Sequence, residues 1–279
     1  MILIREELGL RIVTPTTPRY PFLQTPSDPV IVGLTQFHPY ATFIFGYLDI
    51  RRPFRLKGGT TLDFDEISMK PFPKSGPNIS NKFALGLINA FEKVLGKQGL
   101  DTLLNQAQLQ NLIGNYPPDD LKKRVNFTDV SALNQALEEL YGPRGGRGLA
   151  IRVGRSTYSE TLRKIGALGG TADEEFKMLP VQAKIELGLL ALARVFSLVS
   201  DQHPIVEESE HEYIFRIHDC PFCWERQGSD SPSCFTPLGI LQESMNWFSG
   251  GGEFRVSETK CSALGDNVCE FSIQKTPVG

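Results

Sequence analysis

The pattern of apolar and polar positions changes twice along the chain. Residues 1–78 are rich in proline and aromatic side chains, and an apolar run at 40–50 is typical of a buried strand. Residues 79–203 carry apolar side chains at helical spacing, and residues 204–279 change to a period of two. We therefore predict an N-terminal extension over 1–78, part strand and part irregular. A helical region over 79–203 and an α+β region over 204–279 follow, with 79–279 as one domain.

The central region is predicted to be mostly helical. Ser80 is placed to cap a helix that carries Phe83, Leu87 and Phe91 on one face. A further amphipathic helix is predicted over 179–200, and it is interrupted by too many charges to favour a membrane span. A buried or dimer-forming helix fits this pattern better. Its apolar face comprises Val181, Ile185, Leu189, Leu192 and Phe196.

A glycine-rich stretch interrupts the helical pattern. A helix is expected to stop at Gly142. The glycines that follow predict a loop, a short strand from Leu149 to Val153 and a return to helix at 159–166. A loop in this position precedes a strand, whereas a dinucleotide-binding fingerprint lies between a strand and a helix. The glycines therefore do not indicate a nucleotide site.

The C-terminal region predicts three strands, at 212–218, 253–258 and 269–274, because buried-type residues alternate in each of them. Between the first two strands, Thr236 and Pro237 are typical of the start of a helix. The predicted fold class is α+β, with helices packed on a small antiparallel sheet.

Composition and charge limit the classes of function. Apolar residues make up 41% and charged residues 22% of the chain, which is typical of a soluble globular protein. The formal net charge of -3 argues against a general binder of nucleic acid or anionic membranes. Arg5, Glu6 and Glu7 interrupt the apolar N-terminus, so no secretory signal is recognised and a cytoplasmic location is expected.

All five cysteines lie in the C-terminal region. An odd number of cysteines in a reducing compartment favours a metal or redox site over a disulfide framework. Cys220 and Cys223 form a C-x-x-C motif like that of a dithiol oxidoreductase, but the Gly, Ser, Asp and Pro that follow would end a helix early. Thiols that fill the core are therefore the favoured interpretation of this pair. An iron–sulfur site that uses the five cysteines is a weaker alternative.

Spacing also indicates a metal site at the last predicted hairpin. Glu258 ends one strand, Cys261 opens the loop and Cys269 starts the next strand, while Cys234 precedes the helix. Three thiolates and one carboxylate satisfy a tetrahedral Zn²⁺ site, and four protein ligands make such a site structural rather than catalytic. The alternative is that these are small buried cysteines in the hairpin core.

The same residues resemble the 4-vinyl reductase domain family. Its signature is a Cys before a Gly-containing helix, then V-x-E-x-x-C, G-D and C-x-F. Here it corresponds to Cys234, VSETKC at 256–261, Gly265-Asp266 and CEF at 269–271. The family is named for a bacteriochlorophyll-biosynthesis protein and includes aromatic-hydrocarbon sensor domains of transcription activators. Its fold is related to that of Bet-type subunits of vesicle-tethering complexes.

The resemblance implies a zinc held by Cys234, Glu258, Cys261 and Cys269, a hydrophobic ligand pocket and a homodimer or a heteromer with a related protein. The expected ligand is a hydrophobic small molecule such as a chlorophyll-type tetrapyrrole, and no catalytic residue is assigned. Stand-alone members in photosynthetic bacteria further imply pigment handling or photosystem assembly, in the cytoplasm or peripheral at a photosynthetic membrane. The alternative is a tetrapyrrole vinyl reductase or a dithiol oxidoreductase that uses Cys220 and Cys223. The predicted pocket comprises Phe83, Leu87, Phe91, Leu189, Phe196, Phe215 and Phe254.

Overall fold

The structure is a computed structural model and describes residues 76–278. The strand expected at 40–50 and nearly all of the predicted N-terminal extension lie outside the described residues, and the three predicted region boundaries stay predictions. The described helices are α1 (Asn81–Gln106), α2 (Phe127–Glu160), α3 (Glu174–Lys177), α4 (Val181–Val199) and α5 (Phe235–Ser249). The described strands are β1 (Asn78–Ser80), β2 (Lys123–Asn126), β3 (His203–Glu208), β4 (Glu212–His218), β5 (Phe254–Lys260) and β6 (Cys269–Pro277).

The last four strands form one antiparallel sheet in the order β3-β4-β6-β5, which we call the C-terminal sheet. Its inner face is buried, and the alternation predicted for β4 is confirmed by Tyr213, Phe215 and Ile217. The Phe196 ring of α4 meets the Phe215 ring edge-on, with 6.0 Å between centroids. Helices therefore pack on a small antiparallel sheet, as predicted.

The first helix begins where the sequence predicts. The Ser80 hydroxyl accepts a hydrogen bond from the backbone N–H of Phe83 at 3.2 Å, which satisfies one of the unpaired donors of the first turn. Phe83, Leu87 and Phe91 are buried, which confirms the predicted face. A short two-stranded sheet of β1 and β2, which the hydrophobic pattern did not predict, joins the start of α1 to the start of α2.

The glycine-rich stretch corrects the sequence prediction. Gly142 has a φ of 71° and does end a helical segment, but Pro143 starts another segment that continues to Glu160. No loop or strand forms over Leu149 to Val153, and 159–166 holds only the end of α2 and tight turns. Proline fits the first turn of a helix, so the Gly-Pro pair kinks α2 rather than ending it.

Close packing explains why these glycines lie in a helix. A Cβ on Gly154 of α2 would lie 2.0 Å from the carbonyl oxygen of Thr236, and a Cβ on Gly239 of α5 would lie 2.2 Å from that of Ile151. Backbones that approach this closely have no room for larger side chains. The glycines of both helices thus permit a contact that fixes the N-terminal end of α5, next to Cys234.

Helix α4 confirms the amphipathic helix predicted near 179–200. Ile185, Leu189, Leu192 and Phe196 are buried, whereas Val181 is exposed at its N-terminal end. Among residues 76–278, no helix has both the length and the apolarity needed to cross a bilayer.

Candidate metal centre

Four short segments bring their cysteines and one glutamate to a single buried spot, which we call the thiol cluster. The turn after β4 begins at Asp219, whose φ of 56° redirects the chain into the C-x-x-C motif. The other contributors are the residue before α5, the end of β5 and the start of β6. The six side chains of the thiol cluster are Cys220, Cys223, Cys234, Glu258, Cys261 and Cys269.

The distances between sulfur atoms suit metal coordination. The Sγ of Cys234 lies 3.6 Å from that of Cys269, 3.9 Å from that of Cys261 and 3.7 Å from that of Cys220. The Sγ atoms of Cys223 and Cys269 are 3.3 Å apart. Four thiolates bound tetrahedrally at a Zn–S distance of about 2.3 Å would be separated by about 3.8 Å. The thiols are therefore already near the separations that a tetrahedral ion requires.

Glu258 adds an oxygen ligand to this set. Its Oε2 accepts a hydrogen bond from the backbone N–H of Cys234 at 2.9 Å, while its Oε1 is buried and has no hydrogen-bond partner. Burial raises the pKa of this carboxyl to about 9. A buried oxygen without a partner is costly, and a cation at this point would satisfy it. The donor set thus fits the predicted metal.

The pKa values of the thiols are shifted in opposite directions. Burial raises the pKa of Cys220 to about 11 and that of Cys234 well above its ordinary value. Hydrogen bonds from Cys223 and Cys234 lower the pKa of the Cys261 thiol to about 5. A crowded set of thiols therefore favours ionisation of some members, and a bound divalent cation favours the thiolate form further.

The loop between β5 and β6 holds its two cysteines in place. The backbone N–H of Cys261 donates to Oδ2 of Asp266 at 2.9 Å, and Gly265 adopts a φ of 97° to allow the turn. The backbone N–H of Ser262 points at the Sγ of Cys269 at 3.4 Å. The Gly-Asp pair of the sequence signature thus shapes the loop that presents both thiols.

Asn134 of α2 links the segments that carry the ligands. Its side-chain N–H group donates to the carbonyl oxygens of Phe222 at 3.1 Å and Ser233 at 2.9 Å. The Thr236 hydroxyl donates to Oδ1 of Asn134 at 3.2 Å. Sequence reasoning missed this residue, although an asparagine on the otherwise apolar face of α2 was a signal for it.

The four ligands predicted from spacing, Cys234, Glu258, Cys261 and Cys269, come together as one candidate set. Cys220 and Cys223 are buried, as their interpretation as core thiols requires, but they also contact this set. Together with Cys234 and Cys269 they form a second candidate set of four.

Residues 213–275 match the family model of the 4-vinyl reductase domain. This match covers β4, the C-x-x-C motif, α5, β5 and most of β6. The chain contains a 4-vinyl reductase domain. The match confirms the resemblance seen in the sequence, and all six candidate ligands lie inside the matched residues. No curated protein matches the sequence of the chain.

Several solved structures are similar to this chain. An H-NOX protein from S. oneidensis in the Fe(II)NO ligation state has a TM-score of 0.40 and 15% identity, with 68% of this chain and 99% of that chain covered. The phenol-responsive sensory domain of the transcription activator PoxR with phenol has a TM-score of 0.38 and 16% identity, with 62% and 88% covered. A vinyl-4-reductase family protein from Methanocaldococcus jannaschii has a TM-score of 0.28 and 18% identity, with 47% and 91% covered.

The residues predicted for the ligand pocket lie in three places in and around the 4-vinyl reductase domain. Phe83, Leu87, Leu189, Phe196 and Phe215 are packed together in one hydrophobic cluster, where the rings of Phe83 and Phe196 are stacked with 6.1 Å between centroids. Phe91 belongs to a separate cluster between α1 and α2. Phe254 lines a surface cleft.

This cleft, which we call the α4 cleft, lies between the start of α4 and the C-terminal sheet and has a volume of about 600 Å³. Its apolar wall is made by Val181, Ile185, Tyr213, Phe254 and Pro277. The Lys275 ammonium lies 5.1 Å from the centre of the Tyr213 ring and pairs with Glu208 at 2.5 Å, so one edge of the cleft is charged. An apolar wall with a cationic edge suits a flat hydrophobic molecule that carries a carboxylate.

Proposed function

We propose that this protein is a non-enzymatic binding protein that holds a hydrophobic small molecule of the chlorophyll-type tetrapyrrole class in the α4 cleft. The observation that carries the proposal is the apolar wall of Ile185, Tyr213 and Phe254 beside Lys275. The volume of the cleft is in the range of about 300–1,000 Å³ that is common for ligand sites. The cleft opens to solvent, so a molecule larger than the cleft can project from it.

In this proposal the metal of the thiol cluster is zinc and has a structural role. Cys234, Glu258, Cys261 and Cys269 would hold it and join the β5–β6 hairpin to the start of α5. Because such ligands do not meet in an unfolded chain, the free energy of metal binding adds to the free energy of folding. The metal would therefore stabilise the sheet that forms one wall of the α4 cleft.

The buried thiols argue against the alternative of a dithiol enzyme. Cys220 and Cys223 are each 2% exposed, and burial raises the pKa of Cys220 to about 11. A catalytic thiol needs access to substrate and a lowered pKa. These two cysteines have the opposite properties.

The proposal extends to a homodimer or a heteromer with a related protein, and to pigment handling or photosystem assembly in the cytoplasm or at the periphery of a photosynthetic membrane. The support for these roles is the resemblance of the sequence to stand-alone family members. A stripe of exposed leucines on α4 also supports pairing with a second copy, because a self-complementary apolar patch suits a two-fold interface. The stripe comprises Leu187, Leu190 and Leu198.

Titration with chlorophyllide tests the proposal. Saturable binding, followed by the absorption bands of the pigment, is expected for the purified chain. Val181→Glu should weaken binding about tenfold, because it places a charge on the apolar wall at an exposed position where folding is little affected. Leu121→Glu, an exposed apolar residue outside the cleft, is the matched control.

A second probe separates the two levels of this proposal. If the environment-sensitive dye anilinonaphthalene sulfonate binds and Val181→Glu weakens it, while chlorophyllide does not bind, the tetrapyrrole class is wrong and the hydrophobic site stands. If neither probe binds in a way that depends on Val181, the α4 cleft is not a ligand site.

A further inference from the structure

The thiol cluster holds more ligands than one tetrahedral ion can use. A structural zinc ion binds four ligands, whereas six side chains converge here. They fall into two sets of four, and within each set all ligand atoms lie within 4.8 Å of one another. The first set is Cys220, Cys223, Cys234 and Cys269, and the second is Cys234, Glu258, Cys261 and Cys269.

The two sets share Cys234 and Cys269, and these two thiols lie at the centre of the cluster. Their Sγ atoms are 3.6 Å apart. Two tetrahedral ions that share two thiolates require a separation near the tetrahedral value of about 3.8 Å, because both sulfurs bind both ions. The observed distance meets this requirement.

Each shared thiol also contacts a terminal ligand of the first set. Cys220 lies 3.7 Å from Cys234, and Cys223 lies 3.3 Å from Cys269, both measured between Sγ atoms. In the second set, Cys261 lies 3.9 Å from Cys234, and Glu258 supplies the buried oxygen that lacks a partner. The terminal ligands thus divide into one pair for each set.

Charge favours two ions over one. The five thiols and the glutamate carry up to six negative charges when ionised, and all five thiols are buried. One divalent ion would leave two thiols of the cluster without a cation, whereas two divalent ions compensate four of the six charges. Because uncompensated buried charge is strongly unfavourable, the larger ligand set is best satisfied by two ions.

We infer that the 4-vinyl reductase domain of this chain holds a binuclear zinc centre in which the thiolates of Cys234 and Cys269 bridge the two ions. Cys220 and Cys223 complete one ion, and Glu258 and Cys261 complete the other. Soft thiolate ligands in tetrahedral arrangement select zinc over magnesium or calcium. This inference does not depend on the α4 cleft, and it assigns the C-x-x-C motif a function that the four-ligand site leaves unexplained.

Metal stoichiometry tests the inference. The full chain is loaded with zinc, freed of excess metal and examined by native mass spectrometry together with elemental analysis. Two zinc ions per chain are expected. Replacement of zinc by ¹¹³Cd should give two resonances with different shifts, because one ion has four sulfur ligands and the other has three sulfurs and one oxygen.

Other stoichiometries overturn the inference in distinguishable ways. One zinc ion per chain in the presence of excess zinc overturns the binuclear centre and leaves the single structural zinc of the proposed function. A chain that binds no zinc overturns both. Iron with acid-labile sulfide in place of zinc overturns the zinc assignment. Binding of chlorophyllide at the α4 cleft is measured separately in each case.

Variants assign the two ions to their ligands. The double variant Cys220→Ser/Cys223→Ser should retain one ion, and Cys261→Ser should also retain one, because each removes terminal ligands from a single set. Ser262→Ala is the matched control, since Ser262 contacts the Sγ of Cys269 at 3.7 Å without being a candidate ligand, and it should keep two ions. Two ions in the double variant would overturn the assignment. If a variant does not fold, the stoichiometry and the ¹¹³Cd spectrum of the unaltered chain decide.

Discussion

At the scale of the residue, polar side chains with several partners hold the C-terminal sheet and its metal ligands together. Asn134 bonds to both segments that flank the metal centre, and Glu258 joins a backbone N–H to the ligand set. On the outer face of the sheet, Glu270 receives Arg216 at 2.6 Å, Lys260 at 3.1 Å and the Thr259 hydroxyl at 2.9 Å. Side chains that bridge strands in this way contribute most when they are shielded from water.

Glu270 is expected to make stability depend on pH. Burial opposes its ionisation, but hydrogen bonds from Arg216, Lys260 and Thr259 outweigh burial and hold the pKa below its ordinary value. The stabilisation is therefore present above the unfolded pKa of about 4.3 and is lost as pH falls through the lower folded pKa. Since the side chain is only 10% exposed, Glu270→Gln should reduce the free energy of unfolding by about 1–3 kcal/mol at pH 7.

Urea unfolding at pH 7 and pH 3 measures this effect. The difference between Glu270→Gln and the unaltered chain should shrink at pH 3. Glu253→Gln, at an exposed position just before β5, is the control and should show no such dependence. A difference that is equal at the two pH values would mean that the charge of Glu270 does not stabilise the sheet.

Sequence reasoning could find the four metal ligands but not every group that holds them. The ends of a hairpin meet by geometry alone, so the spacing of Glu258, Cys261 and Cys269 was sufficient to bring those residues together. The contacts of Asn134 and the approach of Cys220 to Cys234 depend on how α2 packs against α5. No local pattern in a single sequence records that packing.

At the scale of the element, helix α2 shows how packing overrides local preference. Its glycines have low helix propensity and predicted a loop, yet they lie in a helix because α5 approaches too closely for larger side chains. The strands and the amphipathic α4, by contrast, were predictable because their burial pattern is periodic. Glycine composition alone does not distinguish a flexible loop from a tight helix contact.

Gly154→Ala is expected to destabilise this contact. The added Cβ would lie 2.0 Å from the carbonyl oxygen of Thr236, so α2 and α5 must separate. Overpacking of this kind costs about 1–3 kcal/mol, and a lower melting temperature should be seen by calorimetry. Zinc affinity should also fall, because the shift moves the residue before α5, Cys234.

Gly148→Ala is the matched control for this prediction. A Cβ at Gly148 meets no atom within 4 Å, and alanine is the better helix former, so its melting temperature should be equal or slightly higher. Equal stability of the two alanine variants would show that the contact between α2 and α5 tolerates a methyl group.

At the scale of the whole molecule, α4 has two functions in the proposed scheme. Its inner face packs on the C-terminal sheet, and its outer face carries the leucine stripe. If that stripe pairs with a second copy, Leu190→Glu should convert a dimer into a monomer, because it buries a charge at the two-fold contact. Size-exclusion chromatography with light scattering measures the mass, and Met178→Glu, an exposed residue outside the stripe, is the control. A Leu190→Glu variant that keeps the mass of a dimer would place the interface elsewhere.

The position of the metal ligands along the chain has a consequence for biosynthesis. The ligands lie between Cys220 and Cys269, and Cys234 and Cys269 belong to both four-residue sets. A nascent chain that has not yet left the ribosome through Cys269 can complete neither set. Metal can therefore be loaded only after translation of this region is nearly finished, and the cellular zinc supply would then act as a late checkpoint on the maturation of the protein.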